Sequence, residues 1–361
     1  MPFVGMQASH RGNGLCCASN KRFRQPAKEF WEGKYIDEVR NKMIKGELVE
    51  DCTGCYNLES QGKISSRNHY NAVYKNLETG RTPTALDLDL SNLCNLQCVM
   101  CGPDRSSQWA KELGNKEITK TAKKELDEIC ALSSALKHLT IQGGEPSLMP
   151  EFEYYFEYLK EKKLIQNIHL DCISNLTNIN SRFYQLLDDF KSVDLNVSID
   201  SFGDANNYIR YPSNFEKIEK NLLALIDKDV QVNLQVTLQI LSLYRFTDFL
   251  RWTTSIQTAF EEKNKVLGIN LSYVSDPEFL SIQNAPKKLK QKFINDLKNY
   301  LPSKKTKNHI KFAIELKNLK NIILDTDNNN GDDRLLSYVN ELDSRRGIKI
   351  TNYIPDFYDY L

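Results

Sequence analysis

From residue 84 onward, apolar and polar positions alternate in short runs, and helical spacing separates one run from the next. Strand patterns cover Thr84–Asn92, His138–Gln142, Asn167–Ser174, Ser192–Asp200, Gln231–Ile240 and Val266–Val274, with helical patterns at 121–135, 151–162, 180–188, 214–227 and 244–261. Such alternation predicts a parallel α/β sheet. Buried parallel strands usually read as continuous apolar runs, and several of these do not. The first sets Asp87, Asp89 and Ser91 against Leu86, Leu88 and Leu90. The fourth sets Asp194, Asn196 and Ser198 against Leu195, Val197 and Ile199, and the fifth sets Asn233, Gln235, Thr237 and Gln239 against Val232, Leu234, Val236 and Leu238. If helices cover the apolar faces, the polar faces line an interior, which a filled eight-stranded barrel does not tolerate without partners. The pattern predicts an α/β fold in which six strands form a partial (β/α)6 TIM-like barrel over residues 81–280, around a wet cavity. A sheet with one solvated face is the plainer alternative.

Composition narrows the class. The chain has 361 residues, 40% of them hydrophobic and 26% charged, which suits a globular protein with a sizeable core. A net charge of +1 supplies no global field to recruit nucleic acid or an anionic membrane. No window reaches the roughly 18 apolar residues of a membrane span, and Met1–Met6 lacks the basic and apolar regions of a signal peptide. The expectation is a cytoplasmic protein with no membrane partner. Nine cysteines, at 16, 17, 52, 55, 94, 98, 101, 130 and 172, change the picture most. An odd count gathered at short gaps is a poor disulfide framework and reads as metal or iron–sulfur ligation. Cys130 and Cys172 stand apart on a helical run and a strand, as small core residues.

Cys94, Cys98 and Cys101 form a C-x3-C-x2-C loop directly after the first strand. Thiolates are soft and hold iron–sulfur clusters or zinc well. Three ligands leave one position open, which suits a catalytic site, and the end of a strand is where barrel folds place such sites. The loop resembles that of the radical S-adenosylmethionine (SAM) superfamily, whose CxxxCxxC cysteines bind a [4Fe–4S] cluster that chelates SAM; Cys94, Cys98 and Cys101 match them one for one. Met100 stands where many members carry an aromatic residue beside the adenine. Gly143-Gly144-Glu145-Pro146 after the second strand resembles the GGEP motif that receives the SAM ammonium. Two glycines let the main chain approach a ligand, and a carboxylate accepts from an ammonium. Ser174 and Asn175 resemble the ribose-contacting pair, although Leu176 replaces the usual glycine, and Ser198 with Asp200 resembles the strand-four SxD. Arg210 resembles an arginine that some members place on the SAM carboxylate, a task its bidentate geometry suits.

Residues 1–80 carry Cys16-Cys17 after a glycine turn and Cys52-Thr53-Gly54-Cys55, with a helical pattern over 31–45. A cysteine pair and a distant CxxC make a four-thiol site, either zinc-ribbon-like or a closed iron–sulfur cluster. The arrangement is similar to the twitch module, a shortened SPASM domain with one auxiliary [4Fe–4S] cluster, placed here before the barrel. Adjacent cysteines are awkward on one cubane, so Cys17 is the preferred ligand over Cys16, beside Cys52 and Cys55. The site is three-ligated, substrate-ligated or completed by Cys16.

Residues 281–361 are expected to form a helical extension. Positions 286–311 hold nine lysines and one acidic residue, Asp296, which reads as a solvated amphipathic helix or as a surface for an anionic partner. Leu342-Asp343-Ser344-Arg345-Arg346 and Ile354-Pro355-Asp356-Phe357 resemble the tail of N-terminal-twitch proteins and should pack back on the barrel. The resemblance implies an enzyme that reductively cleaves SAM to a 5′-deoxyadenosyl radical, which abstracts hydrogen from an unidentified peptide or small molecule. A flavodoxin- or ferredoxin-like protein would supply the electron. A tRNA- or nucleotide-modifying member and a non-catalytic iron–sulfur or zinc assembly factor are the alternatives.

Overall fold

Every alternating run from residue 84 onward becomes a strand in the computed structural model, which describes residues 1–60, 62, 64–115, 117–299 and 333–361. The strands are β1 (Gly5–Ser9), β2 (Ala85–Asp89), β3 (His138–Gln142), β4 (His169–Ser174), β5 (Ser192–Ser198), β6 (Gln231–Leu238) and β7 (Leu267–Tyr273). They make one sheet in chain order, and the pairs β1–β2, β2–β3, β3–β4 and β6–β7 are parallel. Six of them are the predicted strands. The seventh, β1, lies within residues 1–80 and pairs Gly5 with Ala85 and Ser9 with Asp89. A Cβ on Gly5 would stand 2.0 Å from the Ala85 carbonyl oxygen, so the close approach requires glycine.

On β2 and at the end of β5 the polar face is buried, while Asn233, Gln235 and Thr237 on β6 are half-buried. All five residues of β2 are inaccessible: Leu86 and Leu88 face the helices while Asp87 and Asp89 face the other way. Asn196 and Ser198 of β5 are buried as well. Those buried positions do not present a solvated face, and the architecture is an open, parallel α/β sheet.

Contacts divide the chain into two compact units. The first comprises Met1–Cys94, Glu117–Ile173 and Asn180–Asp194, and the second Asn95–Lys116, Ser174–Ile179 and Leu195–Leu361. In the first, helix Lys34–Ile44 occupies the predicted 31–45 pattern and buries Ile36 and Val39. Cys130 is buried on helix Lys123–Leu132, and Cys172 shares the apolar face of β4 with Leu170, so both are packing residues.

In the second unit, helix Lys287–Asn299 buries Leu289, Phe293 and Ile294. Its lysines are not uniformly solvated: Lys290 is buried, and Lys292 donates to Asp296 and to the Tyr244 carbonyl. The rest of the lysine-rich segment, 300–311, lies outside the described residues. The tail motifs fold back as expected. Asp343 accepts from Tyr208 Oη at 2.9 Å and from the Ile350 amide at 2.8 Å, and Arg245 grips Asp356 through two bonds of 3.1 and 2.7 Å. No helix among the described residues is long and apolar enough to cross a membrane.

Candidate functional site

In the first unit the chain leaves β2 through Leu90–Cys94, and the turn after β3 docks on that exit. The Gly144 amide donates to the Ser91 carbonyl at 3.1 Å and the Glu145 amide to the Leu93 carbonyl at 2.8 Å. A Cβ on Gly144 would lie 2.2 Å from the Leu93 oxygen, and Gly143 has φ +129°, so both positions need glycine. Two motifs some fifty residues apart are thus bonded through their main chains, one residue before Cys94. Glu145 is buried, and its Oε1 accepts from the Ser147 amide and hydroxyl at 3.3 and 2.5 Å, capping the short 3-10 helix Pro146–Leu148.

At the same strand ends, Asp89 accepts from Arg11 at 2.9 Å and from Ser9 at 3.4 Å, with His10 Nδ1 3.5 Å away. Asp87 accepts from Gln142 Nε2 at 2.7 Å and bonds Tyr70 Oη at 3.2 Å. Burial pushes the Asp87 carboxyl above its usual range, and those donors pull it back down.

In the second unit the loop from Asn95 to Cys101 is held by its backbone. Four consecutive carbonyls each accept from a different side chain. Leu96 takes Ser106 Oγ at 2.6 Å, Gln97 takes Arg346 at 2.9 Å, Cys98 takes Trp109 Nε1 at 2.9 Å and Val99 takes Tyr338 Oη at 2.7 Å. Between them, the Gln97 and Val99 amides donate to the Tyr211 and Ile209 carbonyls. Arg346 lies over the rings of Trp109 and Tyr211, at 5.1 and 4.8 Å. Of these braces only Arg346 had a sequence signal, as part of the tail motif; Trp109 and Tyr338 had none.

Cys98 is buried, and burial pushes its thiol up to about 12 while the Arg210 guanidinium, 3.9 Å from Sγ, opposes that rise. Cys101 is pushed up by burial too, with its sulfur 3.8 Å from the Gly102 carbonyl. Arg210 and Asp200 are matched to each other by contacts of 2.8 and 3.0 Å, and the Thr237 amide donates to Asp200 at 2.7 Å. The pair is buried, and Asn206 Oδ1 accepts from the Asp200 amide. Where sequence reasoning set Arg210 on the SAM carboxylate and Asp200 on its ribose, the two side chains hold each other, with the guanidinium turned to a thiol. Ser174 Oγ accepts from the Leu176 amide, and Asn175 joins Thr177 to Asn95 on the cysteine loop at 2.8–3.0 Å. Leu176 has φ +54°, the left-handed region that its expected glycine would enter at no steric cost. Met100 Sδ lies 3.9 Å from Gln239 Nε2, and Ser198 is buried at the end of β5.

A second group of thiols lies wholly within the first unit. Cys16, Cys52 and Cys55 line one cavity of about 380 Å³ together with Met1, Tyr56, Arg67 and Tyr70. Cys17 is turned from it onto Tyr70 Oη at 3.0 Å, so the cavity wall is made by the member of the pair that spacing disfavoured. Burial, with the neighbouring charges of Cys17, Cys52 and Cys55, pushes the Cys16 thiol up to about 12. Among the described residues, no three His, Cys, Asp or Glu side chains converge as a cage for a single ion.

Residues 88–252 match the family model of the Radical SAM superfamily. The matched stretch is a radical SAM domain of 165 residues, a little under half of the chain. That superfamily uses a [4Fe–4S] cluster and SAM. The donor chemistry fits: the loop offers three soft thiols, two of them in surroundings where the bare thiolate is costly and metal coordination would supply the missing positive charge. A curated relative, GTP 3',8-cyclase of Streptomyces coelicolor, is 34% identical over 74 residues, 20% of each chain, so the match spans about a fifth of that protein. Among solved structures, anSMEcpe with bound AdoMet superposes with a TM-score of 0.41 at 20% identity, covering 69% of this chain and 64% of that one. Streptococcus suis SuiB bound to the precursor peptide SuiA gives 0.40 at 15% identity, covering 82% and 69%.

Proposed function

We propose that Cys94, Cys98 and Cys101 hold the SAM-binding [4Fe–4S] cluster, and that the protein uses it to start a radical reaction on a peptide or small molecule. When bound, this group supplies the electron that cleaves SAM and releases a 5′-deoxyadenosyl radical. One observation carries the reading: the Gly143-Gly144-Glu145 turn is hydrogen-bonded to the residues just before Cys94. The turn spends its Gly144 and Glu145 amides on that contact, so it offers a ligand ammonium carbonyl oxygen and the Glu145 carboxylate. Pro146 stiffens its exit. Arg210, fixed by Asp200, balances charge at the Cys98 sulfur. Ser174, Asn175, Ser198 and Met100 belong to the ribose and adenine side of the site, with Asn175 tied to the cysteine loop through Asn95.

Cys16, Cys17, Cys52 and Cys55 form the donor set of an auxiliary [4Fe–4S] cluster in a twitch-like segment, supported by the cavity that three of them line. A soluble one-electron carrier such as a flavodoxin or ferredoxin delivers the electron. A nucleotide substrate is the second reading, favoured by the 74-residue likeness to a GTP cyclase.

The test is anaerobic reconstitution with iron and sulfide, then dithionite and SAM, assayed for 5′-deoxyadenosine. Product from the intact protein and none from Cys98→Ala is the expected result. Absence of product from a protein that has taken up iron overturns the proposal. A nucleotide that raises the rate of SAM cleavage would shift the substrate class to the second reading.

A further inference from the structure

The polar face of the sheet changes character across the first unit. At the register of the strand pairs, Gln7, Asp87, Thr140 and Asp171 form one row, and Ser9, Asp89 and Gln142 the next, nearer the strand C-termini. Ile173 stands two residues beyond Asp171 on the same side of β4, because Leu170 and Cys172 are buried on the other. The β1 and β2 members of these rows are buried, whereas Thr140, Gln142 and Asp171 are half-buried and Ile173 is 36% exposed. The open part of this face therefore lies on β3 and β4.

Its chemistry is mixed in a specific way. The two rows hold carboxylates at 87, 89 and 171 and no lysine or arginine. Asp89 is matched by Arg11 at 2.9 Å, and Asp87 accepts from Gln142 at 2.7 Å, both carboxylates being buried. Asp171 is the carboxylate of the open part, and a carboxylate accepts from several donors at once. An anionic group entering here would meet like charge, and an ammonium would be attracted. Ile173 adds the one large apolar side chain among these positions. Two residues along a strand span about 6.6 Å, which a flexible four-carbon stem ending in an ammonium can bridge.

We propose that Ile173 and Asp171 read the substrate, with alkyl carbons against Ile173 and an ammonium group on Asp171. The substrate class is then a primary alkyl amine, as at the end of a lysine side chain, and not a nucleotide. The assignment rests on the radical reading above and chooses between its two substrate classes. Ile173 lies nearer the strand end from which the Gly143 turn leaves β3, so the alkyl carbons, and not the nitrogen, lie toward that turn.

The experiment is a calorimetric titration of the reconstituted full chain, with SAM present, using hexylamine, hexanoate of matched chain length, and GTP as probes. 5′-Deoxyadenosine is assayed in the same samples after dithionite. Hexylamine binding, with no heat from hexanoate or GTP, is the expected result. Asp171→Asn should weaken hexylamine roughly tenfold or more, the loss of a charge-assisted bond. Ile173→Thr keeps a β-branched residue on the strand and should weaken it several-fold, while Ile173→Leu should keep most of the parent affinity. SAM affinity should be unmoved in all three variants. Binding of GTP or hexanoate without hexylamine, or equal hexylamine affinity in the parent chain and Asp171→Asn, overturns the assignment. No 5′-deoxyadenosine from chains that still bind hexylamine through Asp171 overturns the radical reading while upholding the amine site.

Discussion

The molecule holds two sets of thiols by opposite means. The loop Asn95–Cys101 is fixed at main-chain level, with four successive carbonyls bonded by Ser106, Arg346, Trp109 and Tyr338. Cys52 and Cys55 sit instead on the short 3-10 and α-helical stretch Glu50–Ser60, whose helix Thr53–Ser60 buries no residue, and the carbonyls of Cys16 and Cys17 share one side chain, Arg22, with the Ser19 amide also donating to Cys16. Ligands placed by a braced backbone keep their geometry without a cofactor; ligands gathered from separate short segments rely on what they bind. The loop is preorganised, whereas the N-terminal thiols are gathered from separate short segments.

The largest effect tests that contrast directly. Cys98→Ala should abolish 5′-deoxyadenosine formation, whereas Cys16→Ala should leave SAM cleavage measurable and reduce only iron content. Equal loss from both variants would mean that the two sets act as one unit. Next in size is Asp200→Ala, which leaves the Arg210 guanidinium buried beside Cys98 without its carboxylate. Breaking a buried pair from one side costs about 3–5 kcal/mol, readable as a lower midpoint in denaturant unfolding. A loss below about 1 kcal/mol would show that surrounding dipoles, and not Asp200, hold the arginine.

A smaller effect belongs to the support under the N-terminal thiols. Tyr74, stacked on Tyr70, meets the ring of His138 edge-on at 5.0 Å, and His169 lies 4.8 Å beyond. Burial, then the nearby His169 and His69, pull His138 down to about 4 from its ordinary 6.5. Between those two values the unfolded chain takes up a proton that the folded one refuses. The contribution is therefore complete above pH 6.5, declines as pH falls toward 4, and amounts to on the order of 3 kcal/mol. Unfolding curves at pH 7 and pH 4.5 should differ accordingly, and His138→Phe should flatten the difference. An unchanged slope in that variant would assign the acid sensitivity elsewhere.

The same contrast explains what could be read from the sequence. Cys94, Cys98 and Cys101 sit within eight residues, so local spacing declares them, and the Gly143-Gly144 pair stands out as a doublet, with no room for a side chain at 143 against Asp89 and Ser91 or at 144 against Leu93. The six strands from residue 84 onward were legible because polar and apolar positions alternate in them and helical spacing separates one from the next. β1 was not: Gly5–Ser9 stands in a segment without that rhythm, and its partner strand begins eighty positions later. Tyr70 was hidden for the same reason, since nothing in Arg67-Asn68-His69-Tyr70 marks a contact with Cys17 on one side and Asp87 on the other. The Asp200–Arg210 pair was visible as two charged residues, but spacing cannot show that the two side chains hold each other.

The smallest expected effect bears hardest on the idea of redundancy in the loop. Tyr338→Phe removes only the hydroxyl that donates to the Val99 carbonyl at 2.7 Å; the ring keeps its place against Phe279, 5.0 Å away. One lost hydrogen bond of this kind costs about 1 kcal/mol, and the partly buried carbonyl can recover some of that from water. Three side-chain braces and two amide bonds to 209–211 remain on the segment. If the loop is held collectively, the variant should lose about that amount in unfolding free energy yet bind as much iron at the loop as the parent chain. Loss of loop iron in this variant would mean that the thiols are placed by one tyrosine rather than by the braced main chain. The two sets would then differ in appearance but not in principle.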